Sequence, residues 1–334
     1  MQLIRKLLFP FSILYGSIVW LRNKFFDWNI LTSKVYDFPV ICVGNLNVGG
    51  TGKSPMIEYL IRLLQDSYNL ATLSRGYKRT TSGFYLLKGN ESAALTGDEP
   101  LQFKQKFPSI NVAVHENRQA GIQQLRRLNP QPEVILLDDA FQHRKVKPGF
   151  SIVLSAYHDL YVDDFMLPTG NLREPKTGIK RANLVIITKC PIDLNKKQQE
   201  KIRKKLNLQD HQQLYFSSIL YDESCYSISD VKSLESLNNF TLVTGIANPT
   251  PLVNYLEENN LSFKHLAFAD HHNFNEQEIA KLNKEEFILT TEKDFVRLKG
   301  RISKEKLFYI PIKTCLLNNE DEFKKELLKF IDEY

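Results

Sequence analysis

Long apolar runs are scarce in this chain of 334 residues, and paired cysteines, internal repeats, low-complexity tracts and blocks of like charge are missing. Each absence excludes something. The four cysteines, Cys42, Cys190, Cys225 and Cys315, stand far apart with no C-x-x-C pair, which points to a reducing compartment and argues against a structural zinc site. The net charge of +6 is carried by scattered basic residues. That excess supports nucleic-acid binding only weakly, and an anionic substrate or an anionic membrane surface would explain it equally. Charged residues at 25% and hydrophobic ones at 43% are those of a globular protein with one large or two ordinary domains. One N-terminal run, Leu7 to Leu21, is uncharged for 15 residues. As a helix it would extend roughly 22 Å, short of the ~30 Å hydrocarbon core, so spanning is not expected. No small-x-small cleavage site follows, so a signal peptide is not expected either.

That run is flanked by Arg5, Lys6, Arg22 and Lys24, with Trp20, Phe25, Phe26 and Trp28 at its end. Cations beside aromatic and aliphatic residues suit a segment lying in a membrane interface; the alternative is a helix covering the core of a sheet.

What is present begins with "NVGGTGKS", Asn47 to Ser54. A phosphate loop, G-x-x-x-x-G-K-[ST], needs glycines so that backbone amides can crowd a phosphate, a Lys for the outer phosphates and a hydroxyl for Mg²⁺. Gly49, Gly50, Gly52, Lys53 and Ser54 fit, with Val48 and Thr51 between them, and Asn47 stands where the first Gly belongs. Asn tolerates left-handed backbone better than other non-glycine residues, which is the expected reason for its presence. Upstream, "FPVICVGN" reads as a buried strand; downstream, "SPMIEYLIRLLQDS" spaces Ile57, Leu60, Ile61 and Leu64 as an amphipathic helix. Strand, glycine loop and helix is the order that adds helix N-terminal amides to an anion site.

Short apolar runs continue to alternate with helical stretches: "NLATLS", "INVAV", "EVILLDD", "FSIVLSA" and "ANLVIITKC", with "SGFYLLKGN" as a hairpin element. The expected fold class is α/β, a P-loop NTPase-like mostly parallel sheet with helices on both faces, plus a second smaller α/β/α unit. The expected units are residues 1–34, an N-terminal membrane-interfacial helical segment; 35–222, the core that bears the phosphate loop; and 223–334, the smaller C-terminal α/β unit.

Asp138 and Asp139 end an apolar strand, where a carboxylate can orient Mg²⁺ beside a phosphate loop. Asp98 and Glu99 enter a helix, a position that the helix dipole alone would explain. His271 and His272 follow Asp270, which could orient an imidazole. Adjacent residues of a strand face opposite ways, so a general base or proton relay is preferred to a paired metal site. His143 and Arg173 are further polar candidates.

Together, "VGNLNVGGTGKSP", "LSRGY", "GDEP", "ENR", "LLDDAFQHR", "LPTGNLREP", "TGIANP", "FADHHNF" and "TTEKD" resemble the tetraacyldisaccharide 4′-kinase family of lipid A biosynthesis, in the family's order from residue 43 to 294. The resemblance implies ATP- and Mg²⁺-dependent phosphorylation of the 4′-hydroxyl of a tetraacylated glucosamine disaccharide 1-phosphate, giving lipid IVA. It implies a lipid A disaccharide precursor as acceptor, work at the cytoplasmic face of a Gram-negative inner membrane, and no obligate protein partner. It also implies two α/β/α units joined by a short two-stranded linker. By the same resemblance Asn47 to Ser54 hold nucleotide phosphates, Lys53 acts in catalysis, and Ser54, Asp138 and Asp139 serve the metal. Asp98 and His271 help deprotonate the acceptor, and Arg75, Arg118, His143, Arg173 and Glu174 line the site.

Two rivals share the loop. A membrane-positioning ATPase switch would carry a Lys where Val48 stands, and a translational-type GTPase would carry an Asp where Pro191 follows "TKC".

Overall fold

The computed structural model describes residues 5, 7–270 and 272–334. After an N-terminal helix, α1 (Phe9–Asp27), the chain builds a first sheet. Its strands are β1 (Val40–Asn45), β2 (Leu70–Ser74), β3 (Tyr85–Leu86), β4 (Asn111–Val114), β5 (Val134–Asp138), β6 (Phe150–Ala156), β7 (Leu184–Thr188) and β8 (Gln213–Tyr221). The helices between them are α2 (Lys53–Leu64), α3 (Asp98–Lys106), α4 (Arg118–Leu125) and α5 (Lys196–Leu206). A second sheet follows, from β9 (Ser224–Tyr226), β10 (Val231–Ser233), β11 (Phe240–Thr244), β12 (Phe263–Ala267), β13 (Ile288–Thr291) and β14 (Leu307–Ile310). It carries α6 (Thr250–Glu258), α7 (Glu276–Leu282) and α8 (Glu292–Leu298). The chain ends with β15 (Ile312–Leu316) and α9 (Glu320–Asp332).

The first sheet runs β15-β8-β7-β6-β1-β5-β2-β4-β3. Its ladders are parallel except at the edges, β15 with β8 and β3 with β4. The segment expected as a hairpin therefore supplies only the short edge strand β3. Strands β1, β2, β5 and β7 are buried along their length, as apolar runs in a sheet covered on both faces must be. Alternation divides them between two cores. Val40, Cys42, Leu73 and Leu137 face α4 and α5 through Ile122, Leu125, Ile202 and Leu206. Ile41, Val43, Val112 and Leu136 face Met56 and Ile57 of α2 and Phe323 and Leu327 of α9.

Residues 312–332, assigned from sequence to the smaller unit, thus return to the larger one, because β15 has an open edge on β8 to pair with and α9 an apolar stripe to bury. The second sheet, β10-β9-β14-β13-β11-β12, keeps cores of its own.

The functional end is set by register. Val43 lies beside Asp138 and Asn45 beside Leu154, so the carboxyl ends of β5, β1 and β6 finish together. In open α/β sheets ligands bind where strand order reverses, outside these ends. Gly44 lets the layers meet there, since a Cβ on it would stand 2.6 Å from Phe141 Cβ.

Candidate active site

The loop Asn47–Ser54 leaves the end of β1 and opens into α2 at Lys53. Gly49 and Gly52 have φ of +116° and +84°, values that only glycine adopts freely. Asn47 is absent from the left-handed residues, so the expected reason for Asn at this position is corrected. Its backbone bridges Leu172 and its Nδ2 donates to Asp164 Oδ2 at 2.8 Å. The neighbouring Val48 amide donates to Asn171 O at 2.7 Å. The side chain is there to clasp the loop before Arg173. Below the glycines, Asn45 Nδ2 donates to Thr51 Oγ1 and Thr188 Oγ1 to Thr51 O, each at 2.7 Å.

The structure brings Lys53, Ser54, Asp98, Asp138, Asp139, Arg118 and Arg173 to one neighbourhood. Lys53 Nζ stands 3.7 Å from Asp139 Oδ1. Arg173 grips the same carboxylate with both guanidinium arms, at 3.0 and 2.7 Å, and also meets Asn45. Asp139 has φ +47°, which turns it out of line with β5. Its pKa falls below the usual value: burial pushes upward, but Lys53 and Arg173 outweigh it. Asp138 goes the other way, to about 7, through burial first and then the charges of Glu99 and Asp139. Ser74 Oγ donates to Asp138 Oδ2 at 3.1 Å, while Asp138 Oδ1 is buried without a hydrogen-bond partner among the described residues.

Arg118, also buried, donates to Asp138 O at 2.9 Å and to His115 O at 2.8 Å, bracing the strand end from α4. His143 is lowered to about 4, by burial and then by Arg118, and is a neutral imidazole near pH 7. Arg75 is exposed just beyond β2. Glu174 is buried among Arg181 at 2.8 Å, Gln142 at 2.8 Å and Asn23 at 3.2 Å, a tie between α1 and the sheet and not a side chain aimed at the phosphate loop. His271 lies outside the described residues. His272 sits in a loop beyond β12 and meets Glu278 Oε2 at 2.9 Å, so the strand geometry expected of the pair does not apply to it.

Sequence reasoning missed the second unit's share of the site. Ser54 Oγ donates to Glu99 Oε1 at 2.7 Å, and Glu99 pairs with Lys293 of α8 at 3.0 Å. Burial raises the Glu99 pKa, but Lys293, the Ser54 hydroxyl and Lys53 together bring it below the usual range. Arg297, one turn after Lys293 on α8, pairs with Asp98 and reaches Asp294 at 3.1 Å. Asp98 and Glu99 are therefore more than helix-dipole residues. The spacing of Lys293 and Arg297, four apart on one helix face, was a signal for this role.

Helix α1 shows the reverse of the usual polarity. Ser12, Tyr15 and Asn23 face the protein, bonded to Thr169 Oγ1 at 2.8 Å, Arg173 O at 3.0 Å and Glu174 Oε2 at 3.2 Å. Phe11, Ile13, Leu14 and Ile18 are about 60% exposed. A groove of about 340 Å³ runs between this helix and Phe165, Met166 and Pro175. Among the described residues no helix is long and apolar enough to cross a membrane.

These features can be set beside known proteins. The family model for LpxK, tetraacyldisaccharide-1-P 4′-kinase, matches residues 4–332. A tetraacyldisaccharide 4′-kinase of Flavobacterium johnsoniae is 51% identical over 342 residues, covering 100% of this chain and 99% of its own. One from Phocaeicola vulgatus is 44% identical, covering 96% and 93%. LpxK from Aquifex aeolicus, solved in complex with ATP, has a TM-score of 0.79 at 29% identity, covering 98% of this chain and 99% of its own. Matched along nearly its whole length, the chain belongs to the tetraacyldisaccharide-1-P 4′-kinase family.

Proposed function

We propose that this protein transfers the γ-phosphoryl group of ATP to the 4′-hydroxyl of a tetraacyldisaccharide 1-phosphate, giving lipid IVA and ADP. The acceptor oxygen bonds to the γ-phosphorus, the bond from that phosphorus to the β,γ-bridging oxygen breaks, and the hydroxyl proton passes to Asp98 acting with His271. Phosphoryl transfer asks mainly for position and charge. The amides from Asn47 to Ser54 hold the phosphates, Lys53 and Arg173 balance charge around Asp139, and the α2 N-terminus adds its dipole.

The oxygen donors fit a magnesium ion. Asp138 Oδ1 is buried and unpartnered among the described residues, and Asp139 and the Ser54 hydroxyl are further hard ligands. Among the described residues no three His, Cys, Asp or Glu side chains form a metal cage. Mg²⁺ usually keeps waters and takes substrate phosphate oxygens with one or two carboxylates, so a full protein cage is not required of these donors. When bound, such an ion neutralises charge on the phosphates.

The observation that carries a lipid acceptor is the inverted helix α1. Tyr15 bonds to the carbonyl of Arg173, the residue that grips Asp139, while aliphatic and aromatic side chains on the same helix face outward. An apolar surface with cations at its ends suits the plane of a membrane. We place the protein on the cytoplasmic face of a Gram-negative inner membrane, with residues 1–34 as the interfacial segment and no nucleic-acid or obligate protein partner.

The decisive assay supplies ATP, Mg²⁺ and the lipid disaccharide and seeks a product heavier by one phosphate. Rapid ATP hydrolysis without acceptor, and no such product, would favour the ATPase switch.

A further inference from the structure

Lys189 directly follows β7, whose five residues are all buried, and has φ +57°. A left-handed Lys is uncommon, and such residues persist where their surroundings over-determine them, often at ligand sites. The pins are visible here. Thr188 Oγ1 donates to Thr51 O at 2.7 Å, and Thr188 O accepts from Tyr157 N at 2.9 Å. On the other side, Cys190 N donates to Ser217 O at 3.0 Å and Ser218 Oγ to Cys190 O at 2.7 Å.

The turn sends the Lys189 side chain over the phosphate loop. Its Nζ lies 3.6 Å from the point where a Cβ on Gly50 would stand. Two other ammonium groups of the site have carboxylates, Lys53 with Asp139 and Lys293 with Glu99. Lys189 keeps solvent exposure but holds no hydrogen bond or ion pair among the described residues. Partial burial, and then the Lys293 ammonium, lower its pKa. Strand β7 is separated from β1 by β6, on the side away from β5. Lys189 therefore approaches the loop from the flank opposite Asp138 and Asp139.

We propose that Lys189 is a nucleotide-binding residue, its ammonium taking the inner phosphates of ATP where they pass Gly50 while Lys53 serves the transferred group. This rests on the nucleotide reading of the loop. The "TKC" element, which lacks the carboxylate of a guanine reader, thus keeps its lysine for the phosphates. The bland alternative, a solvated lysine, leaves unexplained why the backbone holds a left-handed residue to bring it there.

The test is calorimetric titration of the full chain with ATP and Mg²⁺, comparing the parent with Lys189→Met and Lys189→Arg. The Met variant should bind ATP about tenfold more weakly, the scale of one charge-assisted contact, and the Arg variant should recover most of the loss. Tripolyphosphate should weaken in parallel. In turnover, KM for ATP should rise more than kcat falls, with KM for the lipid acceptor unmoved. The ligand-free melting temperature of each variant reports folding. ATP affinity in Lys189→Met within about twofold of the parent would overturn the assignment, as would loss of ATP binding with tripolyphosphate binding kept. A parent protein that binds no ATP would remove the nucleotide reading itself.

Discussion

Two adjacent carboxylates at the end of β5 have opposite tendencies. Asp138 is buried beside Glu99 and Asp139 and rises to about 7, while Asp139 is held charged by Lys53 and Arg173. Like charges this close persist only when cations are arranged around them. Lys53→Ala removes one such cation together with the proposed hold on the outer phosphates. It should cut phosphoryl transfer by about 10²–10³-fold, the loss typical of deleting one transition-state contact, and Asp139→Ala should do the same. Circular dichroism and melting temperature would establish that both variants fold; near-normal turnover in either would reject its place in the site. His143 offers a contrast at the same scale. Held near 4 by burial and Arg118, it is neutral in the folded protein and contributes stability above its ordinary value of about 6.5 that is lost as pH falls toward 4. His143→Gln cannot take up that proton. Its melting temperature should fall less than the parent's between about pH 6.5 and 4; parallel curves would mean that His143 charges freely.

At the scale of elements, α1 predicts an inversion of the ordinary mutational pattern. Ser12 is 3% exposed; its hydroxyl donates to Thr169 Oγ1 and accepts from the Thr169 amide at 2.9 Å. Ser12→Ala leaves those groups of Thr169 without their partner, at about 1–3 kcal/mol. Ile13→Ser on the outward face, 57% exposed, should stay within about 0.5 kcal/mol yet weaken sedimentation with anionic lipid vesicles. Urea titration and vesicle sedimentation of the two variants would separate the faces; equal destabilisation would contradict the inversion. This helix also marks the limit of what the sequence discloses. Its apolar run was legible, but which face turns inward depends on Thr169, Arg173 and Glu174, some 150 residues away. Strand, loop and α2 were legible because Ile57, Leu60, Ile61 and Leu64 repeat at helical spacing. The clasp of Asn47 on Asp164 was not, since nothing in local sequence links positions 117 residues apart. For Lys293 and Arg297 the spacing marked a shared helix face, but their partners Glu99 and Asp98 lie nearly 200 residues away on α3, so the pairing itself was hidden.

Across the whole molecule the two sheets are joined by buried charge as well as by the chain that leaves the first sheet after β8 and re-enters it at β15. Glu58 of α2 and Glu292 of α8 share Lys106 of α3, which is 2.7 Å from Glu58 and in contact with Glu292. Arg62 stands 2.9 Å from Glu58, Gln102 donates to Glu58 at 2.8 Å, and the Ile312 amide meets Glu292 at 3.3 Å. Burial, then the charge of Glu58, push Glu292 up to about 7, with Lys106 opposing. A folded-state value above the ordinary ~4.5 means that the folded protein favours the neutral acid. Its contribution to stability is complete below about pH 4.5 and is lost as pH rises through about 7. Glu292→Gln keeps an oxygen for the Ile312 amide and cannot acquire the charge. Relative to the parent, its melting temperature should therefore shift upward between about pH 5 and 8. The size of that shift measures how much of the burial penalty, and of the repulsion from Glu58, Lys106 leaves uncancelled. A difference that stays level across this range would mean that Lys106 already neutralises Glu292, and that the junction between the sheets does not respond to pH through this residue.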